Sequence, residues 1–163
     1  MIDTVRALVQ LHEGCRLTVY DDATGKPIGP GDTLVGHPTI GFGRALDVRG
    51  VTQAEAGELL DHDLVATAAE ISGALPWADS LDPVRLAALR DMAHNLGVRG
   101  VCGFRKALAA LKAGDFDRCA DELLDSRWQT QVPVRAGRLA GMMRSGSWPS
   151  LAHAQADGDP GDD

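Results

Sequence analysis

The residues best suited to chemistry lie near the start of the chain. Glu13 ends a stretch whose apolar residues are spaced like one helix face, and Asp22 follows nine residues later. Hydrolysis of a glycosidic bond without a cofactor uses two such groups: a protonated acid that assists departure of the sugar, and a carboxylate that activates water or attacks directly. Thr39, in PTIGFG, offers a hydroxyl that could hold a water. Because the chain has 23 acidic residues, composition alone would leave this assignment weak.

The alternation of a strand decides which aspartate faces a cleft. In LTVYDDATG it places Tyr20 and Asp22 on one face and Asp21 on the other. We therefore expect Asp22 to belong to the site, with Tyr20 as a substrate-binding or supporting residue. Gly14, directly after Glu13, predicts that the chain turns there from helix into hairpin.

These residues belong to a longer pattern. EGxRLxxYxD spans residues 13–22, and TIGxG follows at residues 39–43. Together they resemble the signature of glycoside hydrolase family 24, the phage-type lysozymes. Residues 80–104 are similar to the family's central buried helix, and residues 126–148 are similar to its C-terminal segment.

The resemblance assigns roles residue by residue. It implies that Glu13 is the general acid, Asp22 the water-positioning carboxylate and Thr39 the third active-site residue. It also implies an ion pair between Arg135 and Glu13. Asn95 aligns with an amide-bearing position at the cleft floor, where it could bind a sugar N-acetyl group or, alternatively, cap a helix end.

The implied activity is that of an endolysin. It would hydrolyse the β-1,4 bond between N-acetylmuramic acid and N-acetylglucosamine in bacterial peptidoglycan and so lyse the cell. The family's inverting chemistry implies carboxyl groups about 6.5–9.5 Å apart. Two alternatives stay open: a peptidoglycan-binding module that keeps the fold without catalysis, and a lytic transglycosylase, which would leave Asp22 and Thr39 without a role.

The chain departs from the pattern of the family's T-even phage member in two places. Residues 26–38, KPIGPGDTLVGHP, stand where that member has almost nothing, which makes Asp32 a rival for the second carboxylate. We favour Asp22. His12 precedes the acid in place of an acidic residue, so Arg138 lacks a carboxylate partner there.

The expected fold is α+β and lysozyme-like: a small β-hairpin lobe joined by a long helix to an all-helical C-terminal lobe against which the first helix packs. We expect one lysozyme domain over 1–150, divided into 1–50, a connecting helix at 51–72, and 73–150. Residues 151–163 form an acidic tail that we expect to be disordered. Thr52 and Glu55 form a capping box for the connecting helix, and Asp82 caps the first helix of the lobe.

Composition limits the partners. The formal net charge of −7 disfavours nucleic acid, which needs a basic face. The three cysteines form no CxxC pair, so we expect reduced thiols acting as small buried hydrophobes, no metal and no cofactor. The three tryptophans are assigned to packing.

The N-terminus is expected to be neither a signal peptide nor a membrane span, because Asp3 stands where a signal peptide is basic. We expect a monomer without stable membrane association. The implied location is the host cytoplasm, with access to the wall after permeabilisation of the membrane by a holin.

Overall fold

A computed structural model describes residues 2–150 and separates the chain into two compact units, Met1–Leu59 and Leu60–Asp163. We call these the N-terminal and C-terminal units. The predicted acidic tail, residues 151–163, lies outside the described residues. The expected packing of the first helix against the helical lobe concerns both units and stays a prediction.

The N-terminal unit combines helices with a small antiparallel sheet. Its elements are α1 (Ile2–Glu13), β1 (Arg16–Asp21), β2 (Pro38–Gly41), β3 (Arg44–Ala45) and α2 (Leu46–Arg49). The strands lie in the order β1-β2-β3, and Tyr20 pairs with Thr39 across the first two. Helix α1 ends because Gly14 takes a left-handed backbone (φ +65°) that L side chains rarely adopt. The predicted helix-to-hairpin turn is confirmed.

A long helix, α3 (Gln53–Ala74), begins in the N-terminal unit and continues into the other. Its start is the predicted capping box: Glu55 N donates to Thr52 Oγ1 (3.2 Å), and Thr52 N donates to Glu55 Oε2 (2.8 Å). Arg44 adds an ion pair to Glu55 and donates from Nε to the carbonyl of Gly50 (2.7 Å). These contacts tie the end of the sheet to the first turn of α3.

The C-terminal unit is helical, as expected. After a 3₁₀ helix (Pro76–Ser80) it contains α4 (Pro83–Cys102), α5 (Arg105–Ala113), α6 (Phe116–Leu124), α7 (Arg127–Gln131) and α8 (Pro133–Ser145). Asp82 caps α4 by accepting from the backbone N–H groups of Val84 and Arg85, both at 3.1 Å. The α4 segment is interrupted at Gly97, whose backbone is not helical (φ 70°, ψ 156°). The α+β fold class is therefore confirmed.

The apolar core lies in the C-terminal unit, where every buried hydrophobic residue of the described chain is found. Trp128 is buried and meets the ring of Phe104 edge-on, with centroids 6.0 Å apart. In the described part of the N-terminal unit, the buried residues are two polar ones, Asp21 and Thr39. Hydrogen bonds are therefore important for the sheet of that unit, which has no fully buried apolar side chain in its described part.

Two expectations about individual residues were wrong. Trp148 is 63% exposed rather than packed, and Cys15 is exposed rather than buried. Helix α6 stops at Leu124, and Ser126 starts the separate helix α7 by accepting a hydrogen bond from Gln129 N (3.3 Å).

Candidate active site

Glu13 lies at the end of α1, where its carboxylate rests against the turn between β2 and β3. The contact is with Gly43: a Cβ there would lie 3.1 Å from Glu13 Oε2 and 3.5 Å from its carboxyl carbon. Gly43 also has a φ of +75°, so both its backbone and the missing side chain favour glycine. The hairpin that carries Thr39 therefore lies close to the Glu13 carboxylate.

Asp21 is a structural carboxylate. It is only 5% exposed, and its oxygens accept hydrogen bonds from four backbone N–H groups, those of Val35 (2.7 Å), Ala23 (2.9 Å), Thr24 (3.1 Å) and Gly36 (3.2 Å). These bonds, with that of Val35 first, outweigh desolvation and lower the pKa of Asp21. A carboxylate so fully engaged has little capacity left for a substrate water.

Asp22, the next residue, is exposed and much less occupied. Its Oδ1 accepts from His37 N at 2.7 Å, and within the described residues its Oδ2 has no hydrogen-bond partner. Gly36 passes so close that a Cβ there would lie 2.1 Å from Asp22 Oδ1. The structure therefore leaves Asp22 one oxygen available for water, while Asp21, the last residue of β1, anchors the loop.

Thr39 is buried in β2, directly opposite Tyr20 in the sheet register. Its Oγ1 donates to the carbonyl of His37 (3.1 Å), which fixes the direction of the hydroxyl hydrogen. The oxygen keeps lone pairs that can accept a hydrogen bond from water. Tyr20 is half-buried, with the guanidinium of Arg16 stacked over its ring 3.9 Å from the centroid.

Asp32, the rival for the second carboxylate, has a local role. Its Oδ2 accepts from Gly29 N at 2.7 Å, and its own N–H donates to the carbonyl of Gly29 at 3.2 Å. These reciprocal bonds close a tight turn within the 26–38 segment. Asp22, by contrast, shares the backbone of His37 with Thr39, and this connection favours Asp22 over Asp32 as a site residue.

Two further predicted site residues, Arg135 and Asn95, belong to the C-terminal unit. Arg135 Nε lies 3.0 Å from Asp91 Oδ1, which is ion-pair distance without hydrogen-bonding geometry. Asn95 Oδ1 accepts from Trp128 Nε1 at 2.8 Å, so its carbonyl orients a buried indole. The pairing of Arg135 with Glu13 and the binding of sugar by Asn95 stay predictions.

Sequence reasoning missed two contributors. Asp91 is the carboxylate partner of Arg135. It also lines a groove together with Arg138, for which we expected no carboxylate partner at position 12 because that residue is a histidine. His37 connects Asp22 with Thr39 through its backbone. Their short-range sequence context carried no signal for either role.

Comparison with known proteins identifies the family of the chain. The sequence profile of the phage lysozyme family matches residues 10–145, and the chain belongs to that family. Pre-baseplate central spike protein Gp5 of Enterobacteria phage T4 is 29% identical over 160 residues, which are 88% of this chain but 28% of the spike protein. Two probable T4-type lysozymes of Dictyostelium discoideum, numbered 2 and 1, are 25% and 23% identical, covering 90% of this chain and 97% of theirs.

Residues 2–150 contain neither a candidate metal site nor a candidate membrane-spanning helix. No group of three or more His, Cys, Asp or Glu side chains is placed to hold a metal ion there. No helix in this range is long and apolar enough to cross a membrane.

The contact between Glu13 and Gly43 can be tested with a matched pair of glycine variants. Gly31 also has a positive φ (+86°), but a Cβ there meets nothing within 4 Å. Gly43→Ala and Gly31→Ala should each lower the free energy of unfolding by about 1–3 kcal/mol, the cost of a left-handed backbone for alanine. Only Gly43→Ala should shift the ¹³C carboxyl resonance of Glu13; an unshifted resonance would contradict the contact.

The anchoring role of Asp21 predicts a pH-dependent loss of stability. Because its pKa is lowered in the folded state, its contribution is complete above the ordinary value of 3.8 and is lost as pH falls through the folded pKa. At neutral pH Asp21→Asn should lower the urea midpoint clearly more than Asp22→Asn does. The difference between the wild type and Asp21→Asn should vanish in acid; equal midpoints at neutral pH would show that Asp21 is no anchor.

Proposed function

We propose that this chain is a muramidase that hydrolyses the β-1,4 bond between N-acetylmuramic acid and N-acetylglucosamine in bacterial peptidoglycan. The observation that carries the proposal is the placement of the Glu13 carboxylate against Gly43, in the hairpin that also bears Thr39 and binds Asp22 through His37. A hydrolytic glycosidase needs an acid and a water-directing group, and these residues supply both. Membership of the phage lysozyme family supports the substrate class.

In the proposed reaction, protonated Glu13 donates its proton to the glycosidic oxygen as the bond to the anomeric carbon breaks. The free Oδ2 of Asp22 accepts a proton of the attacking water, whose position is held by a further hydrogen bond to Thr39 Oγ1. Water attacks the face opposite the leaving group, so the new reducing end has inverted configuration. When sugar covers the exposed Glu13 side chain, it excludes water from around the proton donor.

The products distinguish hydrolysis from the alternatives. Digestion of purified sacculi, followed by mass spectrometry, should give muropeptides with reducing ends. Anhydro ends would indicate a lytic transglycosylase, and no release would indicate a binding module. Proton NMR of the fresh product should show the α-anomer first, because single displacement inverts the β bond.

Variants assign the roles within this reaction. Glu13→Gln should lower the rate of release at least ~100-fold, and Asp22→Asn about 100-fold, since each removes a group that moves or positions a proton. Asp32→Asn is the matched control in the rival position and should stay within about two-fold. A large loss in Asp32→Asn with Asp22→Asn unaffected would transfer the second role to Asp32.

We also propose that the chain acts as an endolysin that stays in the host cytoplasm until a holin opens the membrane. One relative of this chain is named as a phage spike protein, and two are named as lysozymes. An endolysin of this kind, expressed in a bacterial host, should cause lysis when a holin is co-expressed and little lysis without it. Equal lysis in both cultures would contradict dependence on a holin.

A further inference from the structure

His37 is the residue through which the two water-handling groups are connected. Its backbone N–H donates to Asp22 Oδ1 at 2.7 Å, and its carbonyl accepts from Asp22 N (3.1 Å) and from Thr39 Oγ1 (3.1 Å). A displacement of this one backbone segment would therefore move the Asp22 carboxylate and the Thr39 hydroxyl together.

The imidazole of His37 pairs with a carboxylate on helix α2. Its Nδ1 lies 2.8 Å from Oδ2 of Asp47, in the first turn of α2. The side chains are about half exposed, 53% for His37 and 46% for Asp47, so both are accessible to protons and to solvent ions. Helix α2 is packed against β2 and β3, so Asp47 has a defined position beside the loop that ends at His37.

From this geometry we propose that His37 and Asp47 form a positioning pair that holds Asp22 and Thr39 in place for attack by water, and that protonation of His37 makes this positioning pH-dependent. The proposal rests on the proposed hydrolytic function. His37 itself does not touch the reacting atoms; it acts through its backbone contacts with Asp22 and Thr39.

The sign of the pH dependence follows from the groups that face the imidazole. These are Asp47 on α2 and Asp22 at the end of β1. The hydrogen bond to Asp47, its charge and then the charge of Asp22 raise the pKa of His37 above 6.5, against a smaller opposing effect of desolvation. The charged pair is thus complete below pH 6.5 and weakens as pH rises through the raised pKa.

The first experiment compares kcat and KM on purified sacculi for the wild type, His37→Ala, His37→Gln and Asp47→Asn. On the acid side of the His37 pKa, His37→Ala and Asp47→Asn should lose about three-fold in kcat with KM unchanged, a size typical of an exposed ion pair. His37→Gln should retain most of the rate, because its amide can still donate to Asp47. His62→Gln, an exposed histidine of α3, is the matched control and should be unchanged.

The second experiment is the pH profile, which a merely structural role would not alter. Wild-type kcat should show an alkaline limb at the His37 pKa, and this limb should be absent in His37→Gln. NMR titration of the His37 imidazole should give the same pKa as the limb, and Asp47→Asn should bring that pKa down toward the ordinary value.

The outcomes separate the two proposals. If the wild type releases muropeptides, Asp47→Asn has the wild-type kcat and His37→Gln keeps the wild-type alkaline limb, the positioning pair is overturned and the muramidase proposal stands. A wild type that releases nothing from sacculi would overturn the muramidase proposal, and the positioning pair with it.

Discussion

The hydrogen bonds around the Asp21 carboxylate are the constraint on which the candidate site depends. The N-terminal unit has no apolar core of its own within the described residues, so packing alone does not fix its loops. A buried carboxylate is costly unless it is fully hydrogen-bonded, and Asp21 meets that requirement with backbone N–H groups from two segments, at Ala23 and Thr24 and at Val35 and Gly36. Satisfying this one group therefore dictates where both segments run.

The same network explains how neighbouring aspartates come to have different roles. Asp21 uses both oxygens to hold the backbone, and Asp32 closes its own turn through Gly29. Asp22 makes one side-chain hydrogen bond, to His37, and this bond orients the carboxylate without occupying its second oxygen. A carboxylate that directs water needs both properties, a fixed position and free acceptor capacity, and the local hydrogen bonding provides them at Asp22.

Whether a feature could be predicted from the sequence depends on how far apart in the chain its interacting residues lie. The capping box of Thr52 and Glu55 depends on residues three positions apart, and it was predictable. The separation of Asp21 from Asp22 by strand alternation stays a prediction, because β1 ends at Asp21. The bond from Trp128 to Asn95 joins residues 33 positions apart. The pairing of His37 with Asp47 depends on where a short helix falls beside the sheet. Such contacts leave no local periodicity in the sequence. Whether Trp148 packs also depends on residues distant from it in the chain, so its exposure was missed.

The long segment at residues 26–38 is compatible with an intact site because both its ends are fixed at the same place. At its start, Asp21 N donates to Lys26 O (2.9 Å), and Tyr20 forms a bridge with Pro27; near its end, Val35 and Gly36 donate to the Asp21 side chain. The entropic cost of closing a loop grows only slowly with its length once the ends are held together. Extra residues can therefore be accommodated between these anchors while Asp22 and Thr39 keep their positions, which lets the segment vary in length and composition without altering the groups proposed to direct water.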